Sequence, residues 1–424
     1  MSLLVLCLLI TGLLVIRVPI AFAFFGPSLA YLLSNDQSVG LALRLVANAT
    51  ASFPLLAVPL FILLGSLANH AGIADRLFDF ALAVLGRVRG NLGYVSVGVS
   101  VGFSWMSGSA VADAAALGKL QIPAMLRNGY SKKFALGVTG SAALIAPVMP
   151  PSIPAVIYAG LAAVSTGALF AASVVPALLM AVGLCIVVFI LVRKDDNIQR
   201  TEFSWARVRT TGLRVIAPMG APVVILGGIL GGYFTPTEAA AVGAAYMALL
   251  GFGYRTLGLR DLPKVLIETV VTTASIMLIV ASANLLGYVF ARERVPQEIS
   301  ELVLGLTTSD TVFMLLVFGL SMVLGTALDA IAVLTLTVPI LLPISLTYGV
   351  DPIALGVLMI ISQMIGLLTP PVGTVIFVLQ AIAKATMSEV FWGALPFMVP
   401  LTLLCFGIIF WPDAILYLPE KLGL

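Results

Sequence analysis

Apolar residues gather in blocks that recur along the whole chain, separated by short charged segments. Blocks at 3–16, 18–33, 52–69, 134–163, 166–192, 213–233, 237–254, 265–290, 352–383 and 388–412 predict membrane-crossing helices, since about 20 helical residues span the ~30 Å of bilayer hydrocarbon. Two stretches differ. Residues 93–127 and 311–348 are interrupted near the middle by small or polar residues, Ser107-Gly108-Ser109 and Gly325-Thr326. Each predicts a helix, a tip and a second helix that returns to its own side. The segments after Gly72 and after Val295 predict short amphipathic helices that lie in the interface and lead into the hairpins.

Composition makes the bilayer the implied solvent. Of 424 residues, 61% are hydrophobic and 10% charged, with a mean hydropathy of +1.15, against roughly a quarter charged in soluble domains. Residues 1–424 therefore read as one membrane domain. The first 16 residues lack a basic lead and run into Arg17 and another apolar block, so they predict a retained span rather than a cleaved signal. Cys7, Cys185 and Cys405 lie in apolar runs without ligand spacing, which argues against a disulfide framework or a zinc site. The net charge of +3 is spread over loops and speaks of orientation, not of nucleic acid. With both hairpins re-entrant, 17 of the 22 Lys and Arg residues fall on one face, including Arg76, Arg87, Arg89, Arg127, Lys132, Lys133, the run from Arg193 to Arg214 and Lys384. Arg44, Arg292, Arg294 and Lys421 fall on the other, and the excess marks the cytoplasmic side, with both termini outside.

The two hairpins share sequence. The first reads S-A-V-A-D-A-A-A-L-G-K-L-Q-I-P and the second G-T-A-L-D-A-I-A-V-L-T-L-T-V-P, so that Asp113 stands ten residues before Pro123 and Asp329 ten before Pro339. Pro150-Pro151 matches Pro370-Pro371, Pro176 matches Pro396, and Asn69 matches Asn284, at offsets between 215 and 220. The expected organisation is a first repeat, 1–192, with hairpin 93–127 and broken helix 134–163. A cytoplasmic connection, 193–212, follows, and then a second repeat, 213–424, with hairpin 311–348 and broken helix 352–383. Five spans and one hairpin per unit invert the copy. The predicted fold is thus an all-α polytopic membrane protein of about ten spans and two re-entrant helical hairpins in inverted-topology repeats, the architecture of secondary transporters.

Backbone breaks at membrane depth must be buried in protein or must line a site. Mid-helix prolines free carbonyl oxygens, hard ligands suited to a small cation such as Na+. One candidate site gathers Ser107, Gly108, Ser109 and Asp113 with carbonyls near Pro147 and Pro150. The other gathers Gly325, Thr326 and Asp329 with those near Gly366, Thr369 and Pro370. Either aspartate could instead cap its helix, and the same helix ends could receive an anionic group of the solute, with Ser107, Ser109, Ser152, Thr326 and Val372 as candidate substrate contacts. T-P-T-E at 235–238 reads as a capping box, and the lone His70 as an interfacial residue. An intramembrane enzyme would need a Ser/His pair or two aspartates on facing spans, and a channel a continuous polar stripe; neither pattern is present, and no enzyme activity is expected.

The chain resembles the large membrane subunit of tripartite ATP-independent periplasmic (TRAP) transporters. The resemblance rests on R-V-P-I-A-F at 17–22, F-S-W-M-S-G-S-A-V-A-D-A-A-A-L-G at 103–118, M-P-P-S-I-P-A-V-I-Y at 149–158, G-G-Y-F-T-P-T-E-A-A-A-V at 231–242, G-T-A-L-D at 325–329, P-I-L-L-P at 339–343 and G-L-L-T-P-P-V-G at 366–373, in order along almost the whole chain. It implies a sodium-driven importer of the bacterial inner membrane that works by an elevator movement, the hairpins and broken helices moving as a transport domain against a scaffold. It also implies a periplasmic substrate-binding protein, a small four-helix membrane subunit on a separate chain, and organic acids such as dicarboxylates or sialic acid as substrates. A stand-alone sodium/anion carrier of similar hairpin fold is the alternative.

Overall fold

The computed structural model describes residues 2–16, 18–51, 53–193 and 203–424, and within them the regular elements are all helical. Arg17 and residues 194–202 of the expected connection lie outside the described residues. The chain opens with α1 (Leu3–Val15), α2 (Ile20–Ser34) and α3 (Val39–Thr50), then a 3-10 turn (Phe53–Leu56), α4 (Ala57–His70) and α5 (Ile73–Leu85). There follow α6 (Asn91–Ser107), α7 (Ala110–Arg127), α8 (Lys132–Ala143), α9 (Ile153–Ala162), α10 (Thr166–Val192), α11 (Trp205–Leu230), α12 (Pro236–Gly253) and α13 (Leu262–Arg292). The rest comprises α14 (Val295–Leu306), α15 (Asp310–Gly325), α16 (Ala330–Thr347), α17 (Pro352–Leu367), α18 (Thr374–Ala383), α19 (Met387–Phe410) and α20 (Asp413–Leu422).

Among the described residues five helices, α10, α11, α13, α16 and α19, are long and apolar enough to cross a membrane, and a sixth crossing results if α3 and α4, bent by 61°, count as one. Of the other apolar blocks, 237–254 forms the 18-residue α12 and the rest form shorter helices. Two elements depart from the sequence expectation. Arg44 sits in α3, an amphipathic helix that its mixed composition hid, and the C-terminal α20 follows the last apolar block. Helix α11 also begins eight residues before its apolar block, at Trp205, where Ser204 accepts the Arg207 N–H as a cap. The capping box at 235–238 forms as expected: Thr235 Oγ1 accepts from the Glu238 N–H, and the Glu238 carboxylate accepts from the Thr235 N–H at 2.8 Å.

Both hairpins reverse the chain. As one rod, 91–127 would reach about 54 Å at 1.5 Å per residue. Instead Tyr130, just beyond α7, donates its hydroxyl to Asn91 Oδ1 at 2.9 Å at the start of α6, and Ser96 donates to Gln121 Oε1 at 2.5 Å across the two arms. In the second hairpin Phe313 and Tyr348, near the outer ends of α15 and α16, stack with centroids 4.8 Å apart, and the Tyr348 hydroxyl donates to the Thr307 carbonyl. Helices α8 and α9 are separated by residues 144–152, and α17 and α18 by 368–373, where clustered prolines and glycine forbid a continuous ladder. The Pro150-Pro151 and Pro370-Pro371 bonds are both cis.

Most buried apolar side chains form one core running from α4 to α20. A second, smaller core joins α1, α2 and α3 to the far end of α13 through Phe24, Tyr31, Leu286 and Val289, and there the Tyr31 hydroxyl donates to the Glu293 carboxylate.

Candidate functional site

The helices that restart after the four interruptions meet. A cavity of about 580 Å³ is lined by the first turns of four helices: Ser109 to Ala112 at α7, Ile153 and Pro154 at α9, Asp329 to Ile331 at α16, and Thr374 at α18. Each such end presents main-chain N–H groups that have no partner within the helix, and a partial positive charge. Helices α4 and α13 close the facing wall with Ser66, Asn69, Glu268, Thr272 and Ser275.

At the first tip Gly108 adopts φ +60°, a left-handed turn that ends α6, and a Cβ there would stand 3.1 Å from the Pro151 carbonyl oxygen. Glycine is required on both counts. Ser109 then caps α7, its hydroxyl accepting from the Ala112 N–H. Asp113 is not a cap. It is fully buried one turn into α7, where Ser107 donates its hydroxyl to Oδ1 and Oδ2 has no hydrogen-bond partner. Beside it Ser152 caps α9, accepting from the Ala155 N–H and donating its own hydroxyl to the Pro147 carbonyl.

The second tip is assembled differently. Gly325 ends α15, and its backbone lies against α17: a Cβ on Gly366 would fall 2.6 Å from the Gly325 carbonyl carbon. The Thr326 carbonyl accepts the N–H groups of Val372 at 3.2 Å and Gly373 at 2.9 Å, tying the tip to the break between α17 and α18. Asp329 is the N-cap of α16, its Oδ1 accepting from the Ala332 N–H at 2.8 Å. Thr369 donates to the Ile365 carbonyl at 2.9 Å.

Ser107, Gly108, Ser109, Pro147 and Asp329 therefore line the cavity. Asp113, Pro150 and Ser152 are buried and do not line it. Gly325, Thr326, Gly366 and Val372 come together with one another, but neither they nor Thr369 and Pro370 line the cavity. Asn69 lines it while its sequence match Asn284 is exposed. Asp113 and Asp329 take different positions, the one a turn inside α7 and the other at the cap of α16. The helix caps pair Ser109 with Asp329 and Ser131 with Asp351, each 220 residues apart, which is also the spacing of Pro123 and Pro343 and of Pro150 and Pro370. The polar wall residues Glu268, Thr272 and Ser275 were hidden in an apolar block, although their spacing of four and then three marks one helix face.

The family model described as "Tripartite ATP-independent periplasmic transporter, DctM component" matches residues 6–414. The chain belongs to this family. Among DctM relatives it is similar to the sialic acid TRAP transporter large permease protein SiaM of Vibrio cholerae, 38% identical over 96% of both chains. It is also similar to the C4-dicarboxylate TRAP transporter large permease protein DctM of Pseudomonas aeruginosa, 36% identical over 93% of this chain and 92% of that one. In fold it resembles the YdaH transporter of Alcanivorax borkumensis, with a TM-score of 0.62 and 14% identity, over 87% of each chain. With its long apolar helices, this DctM component is a multi-pass membrane protein.

Proposed function

We propose that this DctM component carries a small organic acid across the bacterial inner membrane by sodium-coupled secondary transport, receiving it from a periplasmic substrate-binding protein and working beside a small four-helix membrane subunit. The observation that carries the reading is the convergence of four helix N-termini on one cavity. Such ends favour an anion. They are not equivalent, because α16 is already capped by its own carboxylate whereas α7 and α9 have the neutral caps Ser109 and Ser152. The substrate carboxylate is therefore assigned to the α7 and α9 end, with Ser107 and Ser109 nearest to it.

Sodium, the co-transported ion, is assigned to two donor sets. The first is Ser107, Gly108, Ser109 and Asp113 with the Pro147 and Pro150 carbonyls; the second is Gly325, Thr326 and Asp329 with Gly366, Thr369 and Pro370. Carboxylate, hydroxyl and carbonyl oxygens suit an alkali cation better than a transition metal. The unpartnered Oδ2 of buried Asp113 fits a ligand at the first set, since an orphaned buried carboxylate oxygen is costly. In this reading the chain is two inverted repeats, 1–192 and 213–424, forming about ten spans with both hairpins re-entrant. The units α6–α9 and α15–α18 move together as an elevator against α4 and α13.

The test is uptake of a labelled organic acid into proteoliposomes holding both membrane subunits, with the binding protein outside. Uptake is expected to require an inward sodium gradient; uptake that ignores sodium and follows ATP would reject the reading. Uptake by this chain alone would support a stand-alone carrier.

A further inference from the structure

The cavity wall facing the tips carries a single acidic side chain, Glu268 on α13. Thr272 and Ser275 follow it on one face of that helix, and Ser66 and Asn69 face it from α4. His70 Nδ1 lies 2.9 Å from the Ser66 carbonyl oxygen. That oxygen can only accept, so Nδ1 carries the hydrogen and Nε2 is turned to Glu268 Oε2, 4.0 Å away. The Glu268 side chain remains 47% exposed. Among the described residues that line the cavity there is no Lys or Arg, and the nearest basic residue on α13, Lys264, one turn earlier, is not part of the wall.

We infer that Glu268 is a specificity-determining residue that makes this cavity prefer polyhydroxylated monocarboxylates to dicarboxylates. The inference rests on the reading of the cavity as the substrate pocket. With one carboxylate held at the α7 and α9 ends, the remainder of the substrate extends to the α4–α13 wall. Substrate hydroxyls there donate to the Glu268 carboxylate in charge-assisted hydrogen bonds and exchange further bonds with Ser66, Asn69, Thr272 and Ser275. A second substrate carboxylate in the same place meets a like charge and finds no Lys or Arg in the lining to receive it. Glu268 offers donors nothing they cannot use and acceptors nothing at all, so the discrimination is built into one side chain.

The test is calorimetric titration of the purified full-length chain in sodium-containing detergent buffer with gluconate and with succinate, in the wild type, Glu268→Gln and Glu268→Asp. Gluconate is expected to bind the wild type about tenfold more tightly than succinate, the effect of one like-charge contact in a half-hydrated site. The gap should close in Glu268→Gln and persist in Glu268→Asp, which keeps the charge. Succinate binding as tightly as gluconate in the wild type, a gap that survives in Glu268→Gln, or no binding of either acid overturns the inference. Repeating the titrations without sodium separates the two claims: a gluconate affinity that is indifferent to sodium, with the preference over succinate intact, leaves Glu268 in its role and rejects sodium coupling.

Discussion

At the first tip the chain turns in two residues through left-handed Gly108 and restarts on a neutral cap, Ser109. At the second it takes four residues, 326–329, and restarts on a carboxylate, Asp329. The acidic residue of the first hairpin, Asp113, is turned inward to Ser107, while that of the second lines the cavity. Two hairpins of similar length thus present unlike helix ends to a shared space: a neutral serine cap at α7 and a carboxyl cap at α16. The difference teaches that two hairpins of similar length can offer unlike helix ends to one space, according to whether a serine or an aspartate stands at the cap.

The largest effect is expected where the second tip is packed backbone against backbone. Gly366→Ala places a methyl 2.6 Å from the Gly325 carbonyl carbon, with no flexible side chain to yield, and should cost about 1–3 kcal/mol of stability and abolish uptake. Thermal unfolding beside proteoliposome uptake measures both, and normal uptake would show that the tip is not held in this way. Next comes the charge itself. Asn caps a helix as well as Asp does, so Asp329→Asn should leave stability within about 0.5 kcal/mol yet raise the sodium concentration for half-maximal uptake by about tenfold. A sodium titration with unchanged midpoint would reduce Asp329 to a cap and erase the contrast between the tips. The smallest effect falls on the neutral end: Ser109→Ala removes one capping bond, worth about 1 kcal/mol of stability, and should weaken sodium dependence and organic-acid half-saturation only a few-fold. A larger loss there than in Asp329→Asn would reverse the assignment of ends.

Much of this arrangement was legible along the chain. Both tips stand where Ser107-Gly108-Ser109 and Gly325-Thr326 interrupt apolar runs, and both broken helices part at their double prolines, because glycine and proline act on the backbone locally whatever surrounds them. The helices α3 and α20 were not legible, since short segments of mixed polarity carry little periodic signal. Glu268 escaped notice for a related reason: one charge among apolar neighbours reads as a lapse in a span until another helix is seen across from it.

The sequence by itself determined that the chain lives in lipid, where its helices break, and which residues stand at the breaks. Only the tertiary structure decided which aspartate caps its helix and which polar groups share the cavity. Asp113 and Asp329 stand at the same distance from a proline along the chain, yet only Asp329 caps its helix, a place that Ser109 takes in the first hairpin. Whether a carboxylate faces a cavity or a neighbouring serine depends on what packs against its helix, and that is a property of contacts between segments far apart in the chain.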